Sequence, residues 1–224
     1  MKTIFAASVF AILSTAAFAQ QSPEYHPAMP GGSLDHVYDR SGFGVNVGAS
    51  TLGFAIEPTW RFNNKFGVRA VYANGEASYD EASNGESYSG NLSVGGKGVM
   101  ADYYPMEGSF FLSGGAFVTD NSASFVASNV NVNGKTTDIT VRMDQKDDGL
   151  TPYLGMGFDG RIGKRGTLSI GAGGIFGEGF DVSATESAGT LTAAELDGEI
   201  ADIRQAGNDF KVVPFAKIAV GFRF

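Results

Sequence analysis

Apolar and polar residues alternate along the chain with a period of two, and the alternation is cleanest at its C-terminal end. In KVVPFAKIAVGFRF (211–224), Ala216, Ile218, Val220, Phe222 and Phe224 share one parity, and Lys217, Ala219, Gly221 and Arg223 share the other. A helix would align Phe215, Ile218, Ala219 and Phe222, but Gly221 and the β-branched Val and Ile favour a strand with one apolar face. The same scheme recurs in GFGVNVGAS, FAIEPTWRF, FGVRAVY, NLSVGGKGVMADYY, FFLSGGAFV, PYLGMGFDG and TLSIGAGGIF, which makes eight candidate strands. NLSVGGKGVMADYY is the least regular, because Asp102 shares the parity of Leu92, Val94 and Met100. A rim position or a bulge accommodates it.

Short connections are expected around Asn64 and Lys65, at 106–109 and at 163–166, and long ones at 73–90, about 120–149 and about 178–210. Short turns at one end and long loops at the other are the pattern of an outer-membrane barrel with both chain ends on the periplasmic side. One long loop carries a helix signal in LTAAELDGEIADIRQAGNDF. Thr192 and Glu195 stand at capping-box spacing, Leu191 and Leu196 at staple spacing, and Leu196, Ile200, Ile203 and Phe210 form a narrow apolar stripe. So short a helix is marginal alone and needs a packing surface, most simply the rim or mouth of the barrel.

Alternation does not say which parity meets solvent. The less bulky parity is dominated by Gly44, Gly48, Gly67, Gly95, Gly115, Gly155, Gly157, Gly171, Gly173 and Gly221. A soluble barrel would expose Thr, Lys, Glu or Arg there, and glycine covers nothing. A narrow eight-stranded lumen, however, needs small residues to make room for a few large ones, here Phe111, Phe117, Tyr103 and Tyr153. The bulky parity then faces lipid, with Trp60, Phe62, Phe66, Tyr72, Tyr104, Phe110, Phe222 and Phe224 as girdle aromatics near strand ends. The expected fold is all-β: an eight-stranded antiparallel transmembrane β-barrel over 42–224, with one short amphipathic helix in the loop before the last strand.

The N-terminus supplies a compartment. Lys2, the apolar stretch Ile4–Leu13 and the small-x-small site ending at Ala19 read as a secretory signal peptide over 1–19, followed by an irregular extension over 20–41 rich in Pro and Gly. The chain has no cysteine, so neither a lipid anchor nor a disulfide is expected. Without the signal peptide, 15 basic residues face 24 acidic ones, a net charge of −9 that argues against nucleic acid. No apolar run past residue 20 is long enough for a membrane helix, so a bilayer would be crossed by a closed barrel.

The inward parity carries Glu57, Arg61, Arg69, Lys97, Asp159, Lys217 and Arg223 as a lumen charge network. Five basic and two acidic groups do not pair completely, which leaves a selectivity network shared with water or mobile anions, or a structural plug of ion pairs. Only two histidines occur, His26 and His36, both ahead of the first strand, so a Ser–His nucleophile or a His-based metal site is not expected. GAGGIFGEG sits within an alternating strand without a βα unit and is no nucleotide motif. Asp144, Asp147 and Asp148 in one loop, and Glu195, Glu199 and Asp202 on the helix, are candidate contacts for Ca²⁺ or Mg²⁺ bridging to lipopolysaccharide phosphates, or simply solvated charge.

FGVRAVY, YYPMEGSFFLSGGAF, TPYLGMGF and DFKVVPFAKIAVGFRF resemble a group of poorly characterised proteobacterial outer-membrane β-barrel proteins. In that group a Pro-containing periplasmic turn leads into an LSGG-like strand and an acidic helix precedes the last strand. The resemblance implies location in the outer membrane of a Gram-negative bacterium and a small eight-stranded barrel. It also implies that Val220, Phe222 and Phe224 form the signal read by the barrel-assembly machinery. It supplies no activity. The expected function is therefore a non-enzymatic, monomeric envelope or surface-interaction barrel with a largely filled polar lumen and no cofactor, in contact with outer-membrane lipid and lipopolysaccharide. The alternatives are a narrow channel or transporter for small solutes and a soluble periplasmic ligand-binding barrel.

Overall fold

The computed structural model describes residues 40–83, 86–132, 135–146, 149–187, 189 and 192–224. The signal peptide and residues 20–39 of the expected extension, with His26 and His36, lie outside them. Within the described residues the chain forms eleven strands: β1 (Gly42–Ser50), β2 (Gly53–Arg61), β3 (Phe66–Ser83), β4 (Glu86–Tyr103), β5 (Phe110–Thr119), β6 (Ser122–Val132), β7 (Lys135–Gln145), β8 (Thr151–Ile162), β9 (Gly166–Phe176), β10 (Phe180–Glu186) and β11 (Val212–Arg223). One helix, α1 (Ala193–Asp209), precedes β11.

Eight of these strands, the eight read from alternation, pair antiparallel in the order β1-β2-β3-β4-β5-β8-β9-β11 and close into a ring through β1 and β11. The closing register runs from Gly44↔Arg223 to Ser50↔Lys217. The terminal Phe224 N–H donates to the Phe43 carbonyl at 2.9 Å. The last strand therefore leaves no free edge where the barrel shuts.

Side chains in the ring are sorted inside out. Leu154 is 63% exposed and Phe117 0%, although both are large and apolar, so strand parity rather than hydrophobicity decides burial. Phe54, Ile56, Trp60, Tyr72, Val99, Ile170, Ile218, Val220 and Phe222 point outward on the same side as Leu154. Glycines line the crowded interior. A Cβ on Gly157 would overlap the Ile170 carbonyl oxygen and lie 2.6 Å from Phe111 Cζ, and one on Gly221 would lie 2.7 Å from Thr167 Oγ1. Small inward residues are what allow the aromatic ones to fit.

The structure departs from expectation at the long-connection end. Residues 73–83 and 86–90 and most of 120–149, within the stretches read as loops, form strands. β3 and β4 continue as a paired ribbon from Phe66↔Tyr103 to Ser83↔Glu86. At 18 residues each they exceed the roughly 9–11 residues that a tilted strand needs to cross a bilayer. The lower part of β4 pairs with β5 (Gly96–Tyr103), and its upper part pairs with β6 (Ser87–Ser93). β7 and β10 extend this sheet further. At the fork, Asn121 accepts from the Gly95 N–H at 3.1 Å and donates to Gln145 at 2.6 Å. Gln145 in turn donates to Thr119 Oγ1 at 2.6 Å. These side chains supply the hydrogen bonds that the diverging strands give up.

In the extension the sidedness reverses. Phe125, Ile139, Val141, Met143, Phe180 and Val182 are buried on the face continuous with the lumen side of β3 and β4. Helix α1 packs on this face at β10, not on the barrel rim. Ile200 and Ile203 are buried, Phe210 stacks near Phe180 at 5.9 Å, and a Cβ on Gly207 would be 2.7 Å from Val182 Cγ2. Thr192 immediately precedes the helix, and its carbonyl accepts from the Leu196 N–H at 3.1 Å, as expected of the cap position.

Candidate functional site

The inner face of the ring brings its charges together in one layer. Arg69 on β3 is 1% exposed and at its centre. Its Nε and Nη2 donate to Asp102 Oδ2 at 3.0 and 2.9 Å, Nη1 to Glu57 Oε2 at 3.2 Å, Nη1 to Ser169 Oγ at 3.2 Å and Nη2 to Asp159 Oδ2 at 3.3 Å. Ser113 donates to Asp102, and Tyr104 and Ser169 donate to Asp159, each at 2.7 Å. Lys217 Nζ forms an ion pair and hydrogen bond with Glu57 Oε2. The participants come from β2, β3, β4, β5, β8, β9 and β11, so the network ties one wall of the barrel to the other. Glu57 Oε1 is buried without a hydrogen-bond partner among the described residues.

Toward the long-connection end, an apolar layer lies over the charges. Phe117, Tyr153 and Phe215 are stacked with ring centroids 5.4–5.6 Å apart, beside Leu52, Met100 and Ile175, all nearly fully buried. At the short-turn end, Arg61 lies 3.5 Å over the Tyr104 ring and donates to the carbonyls of Asn63, Asn64 and Gly108. Buried side chains thus meet inside the ring in two layers, one ionic and one aromatic.

Of the residues expected in the charge network, Glu57, Arg69, Asp159 and Lys217 meet directly, and Arg61 joins through Tyr104. Arg223 is only half-buried, at the end of β11 opposite Gly44. Lys97 is a correction. It is exposed, points outward with Val99 and pairs with Tyr72. The physical reason is the parity of β4, which was set by Leu92 and Val94. Those residues belong to the extension, where the apolar side chains turn inward. Gly96, Gly98, Met100 and Asp102 consequently face the lumen. Tyr103 likewise points outward, while Tyr104 is 3% exposed inside. Asp102 is thus the residue that sequence reasoning missed. With three carboxylates against Arg69, Lys217 and the flanking Arg61, the expected surplus of positive charge is absent from this layer.

Val220, Phe222 and Phe224 are exposed on the outer face of the closing strand, and Phe224 lies 6.0 Å from Phe43 and 5.4 Å from Phe222. Among the candidate cation contacts, Asp147 and Asp148 and the side chains of Glu195 and Glu199 lie outside the described residues. Asp144 points to the outer face of the extension, and Asp202 is on the helix that covers its opposite face, so those two do not share an ion. Among the described residues no cluster of three or more His, Cys, Asp or Glu is placed to hold a metal.

No protein-family model matches the chain, and no curated protein sequence does. Solved structures similar to it include two from one organism. Acinetobacter baumannii CarO is 22% identical with a TM-score of 0.63 over 82% of this chain and 98% of that one. Acinetobacter baumannii CarO2 is 20% identical with a TM-score of 0.64 over 82% and 99%. At these identities the likeness is one of fold.

Proposed function

We propose that the chain is a monomeric outer-membrane β-barrel of a Gram-negative bacterium, closed by its own side chains and acting without catalysis as an envelope or surface component. The observation that supports this reading is the pairing of an apolar exterior with an inner face crowded by buried side chains. Water is a poor solvent for the outward belt, since each Å² of apolar surface left in it costs about 25 cal/mol. Hydrocarbon is the medium that suits this belt, and a closed ring presents no free strand edge to it. The Arg69 network and the Phe117–Tyr153–Phe215 layer block passage through the middle. In this reading Val220, Phe222 and Phe224 are presented to the barrel-assembly machinery during insertion, and lipid and lipopolysaccharide surround the finished barrel.

Reconstitution in planar bilayers tests it. The protein is expected to migrate with heat-modifiable mobility on gels and to give no discrete conductance steps. Reproducible steps would replace the plug with a narrow channel. Release from membranes without detergent would replace the membrane barrel with a soluble one.

A further inference from the structure

The outward face of β3 and β4 changes character in a defined order along the strands. From the short-turn end it presents the pairs Phe66/Tyr103, Val68/Ala101 and Ala70/Val99, then Tyr72/Lys97, then Asn74/Gly95, Glu76/Ser93, Ser78/Asn91 and Asp80/Ser89. An apolar strip thus ends in one aromatic–cation pair and continues as a polar sheet. β6 and β7 widen the polar part, adding Ser122 and Asp144 to the row of Ser93, and Ser124 and Arg142 to the row of Asn91. These rows form a concavity of about 600 Å³ lined by Glu76, Ser78, Asn91, Ser93, Ser124 and Arg142, among others.

We infer that this face seats a phosphorylated glycolipid of the outer leaflet, with acyl chains on the apolar strip, phosphate at Lys97 and saccharide in the concavity. This rests on the membrane reading above and names a partner for the barrel's outer wall. The order of chemistry on the strands matches the order of parts in such a lipid. Lys97 is exposed at the end of the apolar strip, where a long cationic side chain lies along the apolar surface and lifts its charge to headgroup level. Asn91 lies six residues further along β4, about 20 Å at the rise of a strand, which is beyond a phosphate but within reach of attached sugars. The concavity itself carries Glu76 and Asp144 against Arg142, so bare phosphate is not favoured there. Hydroxyls, an amide, a guanidinium and carboxylates together suit the paired donors and acceptors of sugar hydroxyls. Continuity with the lipid-facing strip selects a membrane glycolipid over a free glycan.

The test uses the full-length protein in phosphatidylcholine nanodiscs, titrated with short-saccharide lipopolysaccharide, lipid A or phosphatidylglycerol. Lipopolysaccharide is expected to bind at least about tenfold more tightly than the other two, one well-made charged or polar contact accounting for each tenfold step. Lys97→Gln is expected to weaken lipopolysaccharide and lipid A alike, by about tenfold. Asn91→Trp, which fills the concavity, is expected to weaken lipopolysaccharide alone and abolish the preference over lipid A. Heat-modifiable mobility confirms that each variant folds. Equal affinity for all three lipids, or affinities unchanged in both variants, overturns this inference alone. Failure of the wild-type chain to enter nanodiscs overturns the membrane reading together with it.

Discussion

Arg69 and Asp102, 33 residues apart in sequence, are joined across the β3–β4 pair by Nε and Nη2 donating to one carboxylate oxygen at 3.0 and 2.9 Å. Removing the arginine strands Asp102, Asp159 and Glu57 in a buried layer with Lys217 as the main remaining cation. Arg69→Met is expected to destabilise the barrel by about 3–5 kcal/mol, the usual cost of leaving buried charge uncompensated. Guanidinium unfolding in lipid vesicles measures it. Arg69→Met combined with Asp102→Leu should cost less than the sum of the two single changes, because the second substitution removes one of the carboxylates left unpaired by the first.

Outward and inward positions on neighbouring strands should respond to different insults. Ala70 lies on the apolar strip opposite Val99, and Ala70→Arg is expected to cost roughly 2–4 kcal/mol in a bilayer. Gly157→Val fails for a different reason, since its Cβ would overlap the Ile170 carbonyl and crowd Phe111. Folded yield should fall sharply for Gly157→Val even in detergent, whereas Ala70→Arg should be penalised mainly in vesicles. Comparing folded fractions in the two media separates the causes.

The Phe224 backbone donates across the closing seam to Phe43, and its ring meets Phe43 and Phe222. Deleting Phe224 is expected to lower the fraction of heat-modifiable protein recovered from the outer membrane. An unchanged fraction would separate the terminal aromatic from assembly.

Asn121 fills the gap where β4 exchanges β5 for β6. Asn121→Ala removes the acceptor of the Gly95 N–H and the donor to Gln145 Oε1 and is expected to cost about 1–3 kcal/mol, the penalty of an unmade buried hydrogen bond. Amide exchange should accelerate first in β6 and β7 and leave the β1–β11 seam protected, because the loss falls on the extension rather than on the ring.

The eight ring strands were legible because alternation survives in each of them and because glycine on the minor parity fits a crowded interior rather than a wetted surface. The extension was harder to read for the same physical reason. In the membrane reading, hydrocarbon outside the barrel rewards apolar side chains pointing out, and water above it rewards the opposite. One strand crossing that boundary keeps its geometric parity while its chemical pattern inverts, as β4 does between Val99 outside and Val94 inside. Reading Leu92 and Val94 by the rule that suits Val99 moved Lys97 into the lumen and left Asp102 as an anomaly. The alternation of Ala123, Phe125 and Ala127 against Ser122, Ser124 and Val126 was present in the supposed loop, as was that of Ile139, Val141 and Met143 against Thr140 and Arg142. The stripe of Ile200 and Ile203 showed that helix α1 packs on something, but its surface at β10 did not exist until the loop was recognised as sheet.

Trp60 is the single tryptophan of the chain and lies 55% exposed on the outward face of β2, against Phe62 at 4.6 Å. Its fluorescence in vesicles reports directly on what the outer wall touches. Phospholipids brominated near the headgroup end of their acyl chains should quench it strongly, while aqueous iodide should have little effect. Emission indifferent to brominated lipid and quenched by iodide would contradict the arrangement of apolar exterior and filled interior on which the account depends.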